Sequence, residues 1–236
     1  MINIKIKIIK NEEGNTVGQF ITNSKNHKSI ITCCSTLIST KPSTVLIENN
    51  TNNIIKIVKA RRSLEKIKLL WLHSRLQKEI SGAKTLNRLG FKTPRIFEQG
   101  IAIPFTSNNL GYYIMENLTL TGMREAEVVF LDKKTSPELR QKIIITICDG
   151  LLELYRNKIV FTDFHLGNVF SDINGNLTWI DTGVTKYHIK KKRNQKFIKS
   201  TARFLNYYGD TFFLENEKDL LLELIKSASK LDKDIR

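Results

Sequence analysis

Asn174-Gly175 stands between two short apolar runs, Val169-Phe170 and Leu177-Thr178-Trp179-Ile180. Asn-Gly in that setting is the strongest local signal for a β-hairpin, because a type I′ turn needs positive φ at both central positions. With Asn174 and Gly175 at the tip, Ile173 faces Asn176, Ser171 faces Thr178 and Asn168 faces Asp181. Directly opposed residues share one face of the ribbon, with Cβ atoms about 4.5–5.5 Å apart. The turn chemistry therefore predicts a carboxamide beside a carboxylate at the open end of the hairpin. Two oxygen ligands so placed suit Mg²⁺, which takes one or two protein oxygens and completes its shell with water and phosphate. Asp163 lies five residues before Asn168 and enters the same mouth from a loop. A base beside a metal pair is the layout that phosphoryl transfer needs: Asp163 to accept or orient the proton of an acceptor hydroxyl, Asn168 and Asp181 to hold the metal.

A second set of residues points the same way. The spacing predicts a long helix over 63–89, with Ser63 as N-cap and Gly90 at the C′ position. Leu72, Leu76, Ala83 and Leu86 form one stripe of it, and Glu79 falls inside that stripe. A carboxylate on a buried face needs a cation. The preceding strand supplies one: Ile54, Lys56 and Val58 alternate onto one face, with Lys56 in the middle. A strand lysine held by a helix glutamate is how a kinase-like fold orients a phosphate-binding amine. Lys59 competes for that role, and Glu79 could instead lean into solvent beside Arg75 and Lys78.

Strands dominate the first half and helices the second, an α+β pattern. Short β-branched runs occupy 29–34, 44–48 and 53–58, and strands are expected near 95–99 and 112–116. Helices are expected over 137–157, 191–208 and 215–231. With 236 residues, the chain has room for one medium domain or two small lobes. The join falls near Glu116, which divides the sequence into 1–115 and 116–236. The N-terminus alternates Ile with Lys or Asn, which is strand patterning rather than a signal peptide, and no run approaches the roughly 20 apolar residues of a bilayer span. Three Cys without CxxC spacing argue against a disulfide framework and a zinc site. These features together predict a cytoplasmic protein.

The chain resembles the protein-kinase-like fold. Asp163-Phe164-His165-Leu166-Gly167-Asn168 looks like the D-x-H-x-G-N catalytic loop of small-molecule and sugar kinases, and Ile180-Asp181-Thr182-Gly183 like their shortened metal motif. More narrowly, over roughly residues 43–225, it is similar to the bacterial lipopolysaccharide core kinases, which phosphorylate Kdo or heptose. That pattern includes Ser74 to Glu79, Leu89-Gly90, Thr93-Pro94, and Tyr113 to Leu118. The resemblance implies a two-lobed fold with a β-rich N-lobe and a reduced helical C-lobe, and ATP and Mg²⁺ as cofactors. It gives Lys56 to the α/β-phosphates, Glu79 to Lys56, the base role to Asp163, and Mg²⁺ to Asn168 and Asp181. The backbone of Glu116 to Leu118 would meet adenine as a hinge. His165 matches the family His, with bonding of the loop backbone ranked above direct catalysis. The chain departs from the pattern in two places. No G-x-G-x-x-G is present, so hydroxyls of the 35–42 segment or Lys41 would have to cover the phosphates. Phe161-Thr162 replaces His-Arg before Asp163.

The formal net charge is +15, which calls for anionic partners. His188 to Arg203 holds seven cations and begins seven residues after Asp181. It suits the phosphates and carboxylates of a lipopolysaccharide core, or an anionic inner-membrane surface touched peripherally from the cytosolic side. Phe197 and Phe204 share a stripe and are expected to pack inward, so no base-stacking platform and no nucleic-acid partner are expected. Two alternatives stand beside the core kinase: an aminoglycoside-like phosphotransferase, and a non-catalytic kinase-like protein that binds anionic surfaces.

Overall fold

The computed structural model describes residues 5–22, 31–62, 64–70, 74–103, 107–209 and 212–231. They divide into two compact units, 1–78 with 94–117 and 79–93 with 118–236.

In the first unit, seven strands close into a barrel. They are β1 (Lys5–Lys10), β2 (Thr16–Thr22), β3 (Ile31–Ser39), β4 (Ser43–Glu48), β5 (Ile54–Lys59), β6 (Ile96–Ala102) and β7 (Asn109–Met115). Their order is β1-β2-β6-β7-β5-β4-β3, and a parallel pairing of β1 with β3 closes the ring. Closure leaves no edge strand to aggregate, a property that local sequence patterns do not carry. Ile9, Phe20, Leu46, Ile55, Ile57, Tyr112 and Ile114 fill the interior. Ile55 and Ile57 point inward, so Ile54, Lys56 and Val58 lie on the outer face of β5, as the alternation predicts. Lys7 also points inward, although Ile6 and Ile8 flank it; its amine pairs with Glu98 Oε2 at 3.1 Å, and the Tyr112 hydroxyl donates to the same carboxylate. Cys34, inside the barrel, and Cys148 elsewhere are free thiols whose pKa burial pushes up to about 12, so they act as small apolar side chains.

The helix expected over 63–89 is two helices, α1 (Leu64–Leu70) and α2 (Arg75–Arg88); Ser63 and Leu72 lie outside the described residues. A capping box starts the second helix. The Ser74 hydroxyl and N–H both donate to Gln77 Oε1 at 2.8 Å, and Gln77 N–H returns to Ser74 Oγ at 3.4 Å. The S-x-x-Q signature at 74–77 is the local signal of this helix start. Gly90 takes φ +86, as a C′ glycine should.

The second unit holds β8 (Arg124–Glu125), α3 (Ala126–Leu131), α4 (Pro137–Arg156), β9 (Ile159–Phe161), β10 (Val169–Ser171), β11 (Leu177–Trp179), β12 (Val184–Lys186), α5 (Lys190–Tyr208) and α6 (Glu215–Leu231). Ser136 caps α4, accepting from Leu139 N–H, with Pro137 in the first turn. Ile143, Ile147, Leu151 and Leu154 form the inner face of α4. Arg140 grips Glu217 of α6 with two bonds of 2.9 Å, and Glu217 is fully buried. Among the described residues no helix is long and apolar enough to cross a membrane.

The hairpin exists, but its turn is not type I′. Only Gly175 has positive φ (+77); Asn174 does not. Asp172 N–H bonds Asn176 O, and the Asp172 carboxylate accepts from the N–H groups of Asn174 and Asn176. This is a three-residue loop ending in a left-handed residue, and it shifts the register by one. Val169 faces Trp179, Phe170 faces Thr178 and Ser171 faces Leu177. Asn174→Ala should therefore leave stability within about 0.5 kcal/mol, while Gly175→Ala should cost about 1–2 kcal/mol for forcing a Cβ into the left-handed region. Denaturant unfolding of the two variants checks this; equal losses would restore the type I′ turn.

Candidate active site

Two short ribbons of the second unit end at the same place. The antiparallel pair β9–β12 matches Phe161 with Val184, so the chain leaving β9 and the chain entering β12 put Asp163 and Asp181 at one end. In the pair β10–β11, Val169 matches Trp179, which puts Asn168 and Ile180 at that pair's corresponding end. The loop 162–168 joins the two.

Asn168 fastens this junction. It closes a 3-10 turn over Leu166–Asn168 and is 4% exposed. Its Nδ2 donates to the Asp163 carbonyl at 2.9 Å. Only the NH₂ end of an amide can donate to a carbonyl, so this bond fixes which end is which and leaves Oδ1 as an acceptor able to coordinate a cation. Ile180 N–H in turn donates to the Asn168 carbonyl at 2.8 Å. Ile180, not Asp181, therefore stands across from Asn168, a correction that follows from the register. Asp181 leaves the ribbon instead: it is exposed and adopts φ +48, and Gly183 N–H bonds back to its carbonyl at 2.6 Å. A non-glycine residue in the left-handed region is costly and collects at functional sites.

Thr182 holds that turn in place. Its hydroxyl donates to the Glu79 carbonyl of α2 at 2.7 Å, and Gly82, one turn further along, leaves room for the Thr182 carbonyl, which a Cβ would strike. Glu79 itself is half-buried among Leu76, Ala83 and Leu86, which are buried.

The basic helix α5 backs the loop from the other side. Ser200 Oγ donates to the Phe161 carbonyl at 2.6 Å, and Leu166 N–H donates to Tyr208 Oη at 2.9 Å. Tyr208 passes its proton's bond on to Glu127 of α3 at 3.1 Å. Burial raises the Tyr208 pKa, so it remains a phenol able to donate. Burial also raises the Glu125 pKa, with the neighbouring Glu127 charge adding to it and His165 opposing it. His165 Nδ1 is buried without a hydrogen-bond partner among the described residues, so that nitrogen is not the one to bond the loop backbone. Phe197 and Phe204 do pack inward, against Tyr155 and Phe164.

Asp163 carries an interaction that motif reading did not anticipate. Its side chain is 77% exposed and Oδ1 pairs with Arg203 Nη1 of α5 at 3.1 Å. Arg203 was visible only as one of several basic residues, because a contact forty positions distant leaves no local signature.

In the barrel unit, Lys56 is 5% exposed on the outer face of β5, opposite Val45 and Tyr113. Its competitor Lys59 instead bonds the β3–β4 turn, with its amine 3.4 Å from Ser39 Oγ and from the Thr40 carbonyl. The glycine-free segment 35–42 is mostly strand, since β3 runs to Ser39; Lys41 stands exposed at the tight turn that follows, and Arg75 Nη2 holds the Pro42 carbonyl at 2.8 Å. In the segment 116–118, Glu116 N–H bonds the Arg95 carbonyl and Asn117 Nδ2 the Asn52 carbonyl, at 3.0 Å each. The Leu118 carbonyl accepts from Met123 N–H and Thr121 Oγ1. Among the described residues no three His, Cys, Asp or Glu side chains form a metal cluster. A site of one amide and one carboxylate is a different donor set, one that leaves room for phosphate oxygens.

No family model and no curated protein sequence matches this chain. Among solved structures, it is similar to one described as WaaP in complex with acyl carrier protein, with 13% identity over 84% of this chain and 81% of that one and a TM-score of 0.52. The likeness is one of fold.

The Thr182 seat on α2 is testable. Gly82→Ala should destabilise the protein by about 1–3 kcal/mol through forced displacement, although alanine is the better helix former by about 1 kcal/mol. Lys84→Ala on the exposed side should be near neutral. Thermal unfolding separates the two, and a stabilised Gly82→Ala variant would show that the 181–183 turn does not rest on α2.

Proposed function

We propose that this protein is an ATP- and Mg²⁺-dependent phosphotransferase with an alcohol acceptor, and that its two units are the lobes of a protein-kinase-like fold. The observation that carries the reading is the junction at Asn168. One side chain ties the Asp163 backbone, and its own carbonyl ties Ile180, next to Asp181, so a base and two oxygen ligands share one end of two ribbons. The sequence resemblance to lipopolysaccharide core kinases and the fold likeness to WaaP support it.

In this reading Asp163 takes the proton of the acceptor hydroxyl as its oxygen bonds the γ-phosphorus, the bond from that phosphorus to the β-bridging oxygen breaks, and ADP leaves. Asn168 Oδ1 and Asp181 are the residues that would hold Mg²⁺, which would supply charge neutralisation for the transferred phosphate. Lys56 meets the α/β-phosphates with Glu79 as its partner, Lys41 covers them, and the 116–118 backbone meets adenine. The acceptor proposed is a Kdo or heptose hydroxyl of the lipopolysaccharide inner core, reached peripherally at an anionic cytosolic membrane face. The charge of +15 supports an anionic acceptor over a cationic one of the aminoglycoside type. The glycine-free β3–β4 turn favours a non-catalytic protein instead, and nucleotide turnover decides between them.

Asp163→Ala should lower γ-phosphate transfer to purified inner core by roughly 10²- to 10⁴-fold, the range for loss of a general base. Radiolabel transfer from γ-labelled ATP measures it, and unchanged turnover in a folded variant would refute the assignment.

A further inference from the structure

Four of the seven cations of α5 lie in a line that ends on the candidate base. Lys192, Lys196, Lys199 and Arg203 follow one another at intervals of four, three and four residues, which keeps them on one side of the helix. All four are exposed, while Phe197, Ser200, Thr201 and Phe204 on the opposite side are buried. The helix contains no Asp or Glu. Lys192 stands over the Tyr187 ring, and among the described residues no carboxylate pairs with Lys192, Lys196 or Lys199. Successive cations are about 4.5–6 Å apart along the axis, and the line is about 16 Å long, from a rise of 1.5 Å per residue. At its C-terminal end Arg203 meets the Asp163 carboxylate.

We propose that this line is the binding track for a regularly charged acidic oligosaccharide, the acceptor, and that Arg203 couples its occupancy to catalysis. With the track empty, Arg203 rests on Asp163. When an acceptor phosphate or carboxylate lies on the track beside the reacting hydroxyl, Arg203 moves onto it, and the freed carboxylate accepts the hydroxyl proton. The Arg203–Asp163 pair is suited to such an exchange. Its side chains are 55% and 77% exposed, and exposed ion pairs are weak, whereas Arg binds phosphate and carboxylate bidentately. The Phe side chains of α5 are turned inward, so the exposed Tyr207, one turn beyond Arg203, is the aromatic of this helix that a single-stranded nucleic acid could stack on, and the titration below separates that occupant from an oligosaccharide. The coupling rests on Asp163 being the base; the track does not.

Two arms test these parts separately. In the first, hexagalacturonate is titrated calorimetrically into the full chain at fixed ionic strength. The parent should bind it, Lys192→Gln/Lys196→Gln/Lys199→Gln should bind at least tenfold more weakly, and the neutral methyl ester should not bind. Equal binding by parent and triple variant overturns the track. So does tighter binding of a 20-nucleotide single strand or of phosphatidylglycerol vesicles through the same lysines, which would give the line to nucleic acid or membrane. In the second arm, Arg203→Gln is assayed on phosphorylated and dephosphorylated inner-core oligosaccharide. It should raise KM at least tenfold for the anionic acceptor, with partial rescue by Arg203→Lys, and should raise turnover of the neutral acceptor, whose base is no longer occupied. A variant that loses kcat equally on both acceptors overturns the coupling. Absence of transfer by the parent overturns the phosphotransferase reading and the coupling together, while leaving the result of the first arm intact.

Discussion

The bond from the Asn168 amide to the Asp163 carbonyl holds the candidate site together. Without it the loop 162–168 would be a seven-residue connection between strands of three residues each, too short to orient anything alone. With it, the outgoing end of one ribbon and the incoming end of another are locked within one hydrogen bond, and the amide oxygen is left as an acceptor. Three further contacts from α5 and α2 hold the same region. Ser200 takes the Phe161 carbonyl, Tyr208 takes Leu166 N–H, and Thr182 seats the Asp181 turn on the Glu79 carbonyl. Site residues are thus positioned by bonds to the backbone from buried and half-buried side chains, while Asp163 and Asp181 themselves remain exposed.

Charge is divided in a related way. Two buried ion pairs are close, Lys7 with Glu98 in the barrel and Arg140 with Glu217 between α4 and α6. Removing one partner of such a pair strands the other, at a cost of about 3–5 kcal/mol. The excess cations stand on surfaces instead, above all on α5. A helix whose exposed charges are all of one sign gains nothing for its own stability from that arrangement, so the charge is better explained by what approaches it.

Much of this was legible from local pattern. The helices over 137–156, 190–208 and 215–231 lie within a residue of the ranges expected from the sequence, and Lys56 shares a face with Ile54 and Val58 as alternation requires. What local pattern lost has specific causes. Asn-Gly is compatible with two turn geometries, and the Asp172 carboxylate selects the longer one by accepting from the N–H groups of Asn174 and Asn176, which moves the register by a residue. The helix stripe ran straight through Ser74 because leucines continue on both sides, although S-x-x-Q was there to be read. Barrel closure, the inward turn of Lys7 and the Arg203–Asp163 pair depend on partners dozens of positions away.

Under the proposed function, Asn168 and Asp181 form one metal site. Electron paramagnetic resonance of Mn²⁺, titrated with a non-hydrolysable ATP analogue, tests it without requiring turnover. The account predicts nucleotide-dependent Mn²⁺ binding by the parent chain, weakened at least tenfold by Asn168→Ala and by Asp181→Ala, and kept by Asn174→Ala at the hairpin tip. Binding that is indifferent to both ligand substitutions in folded protein would contradict it.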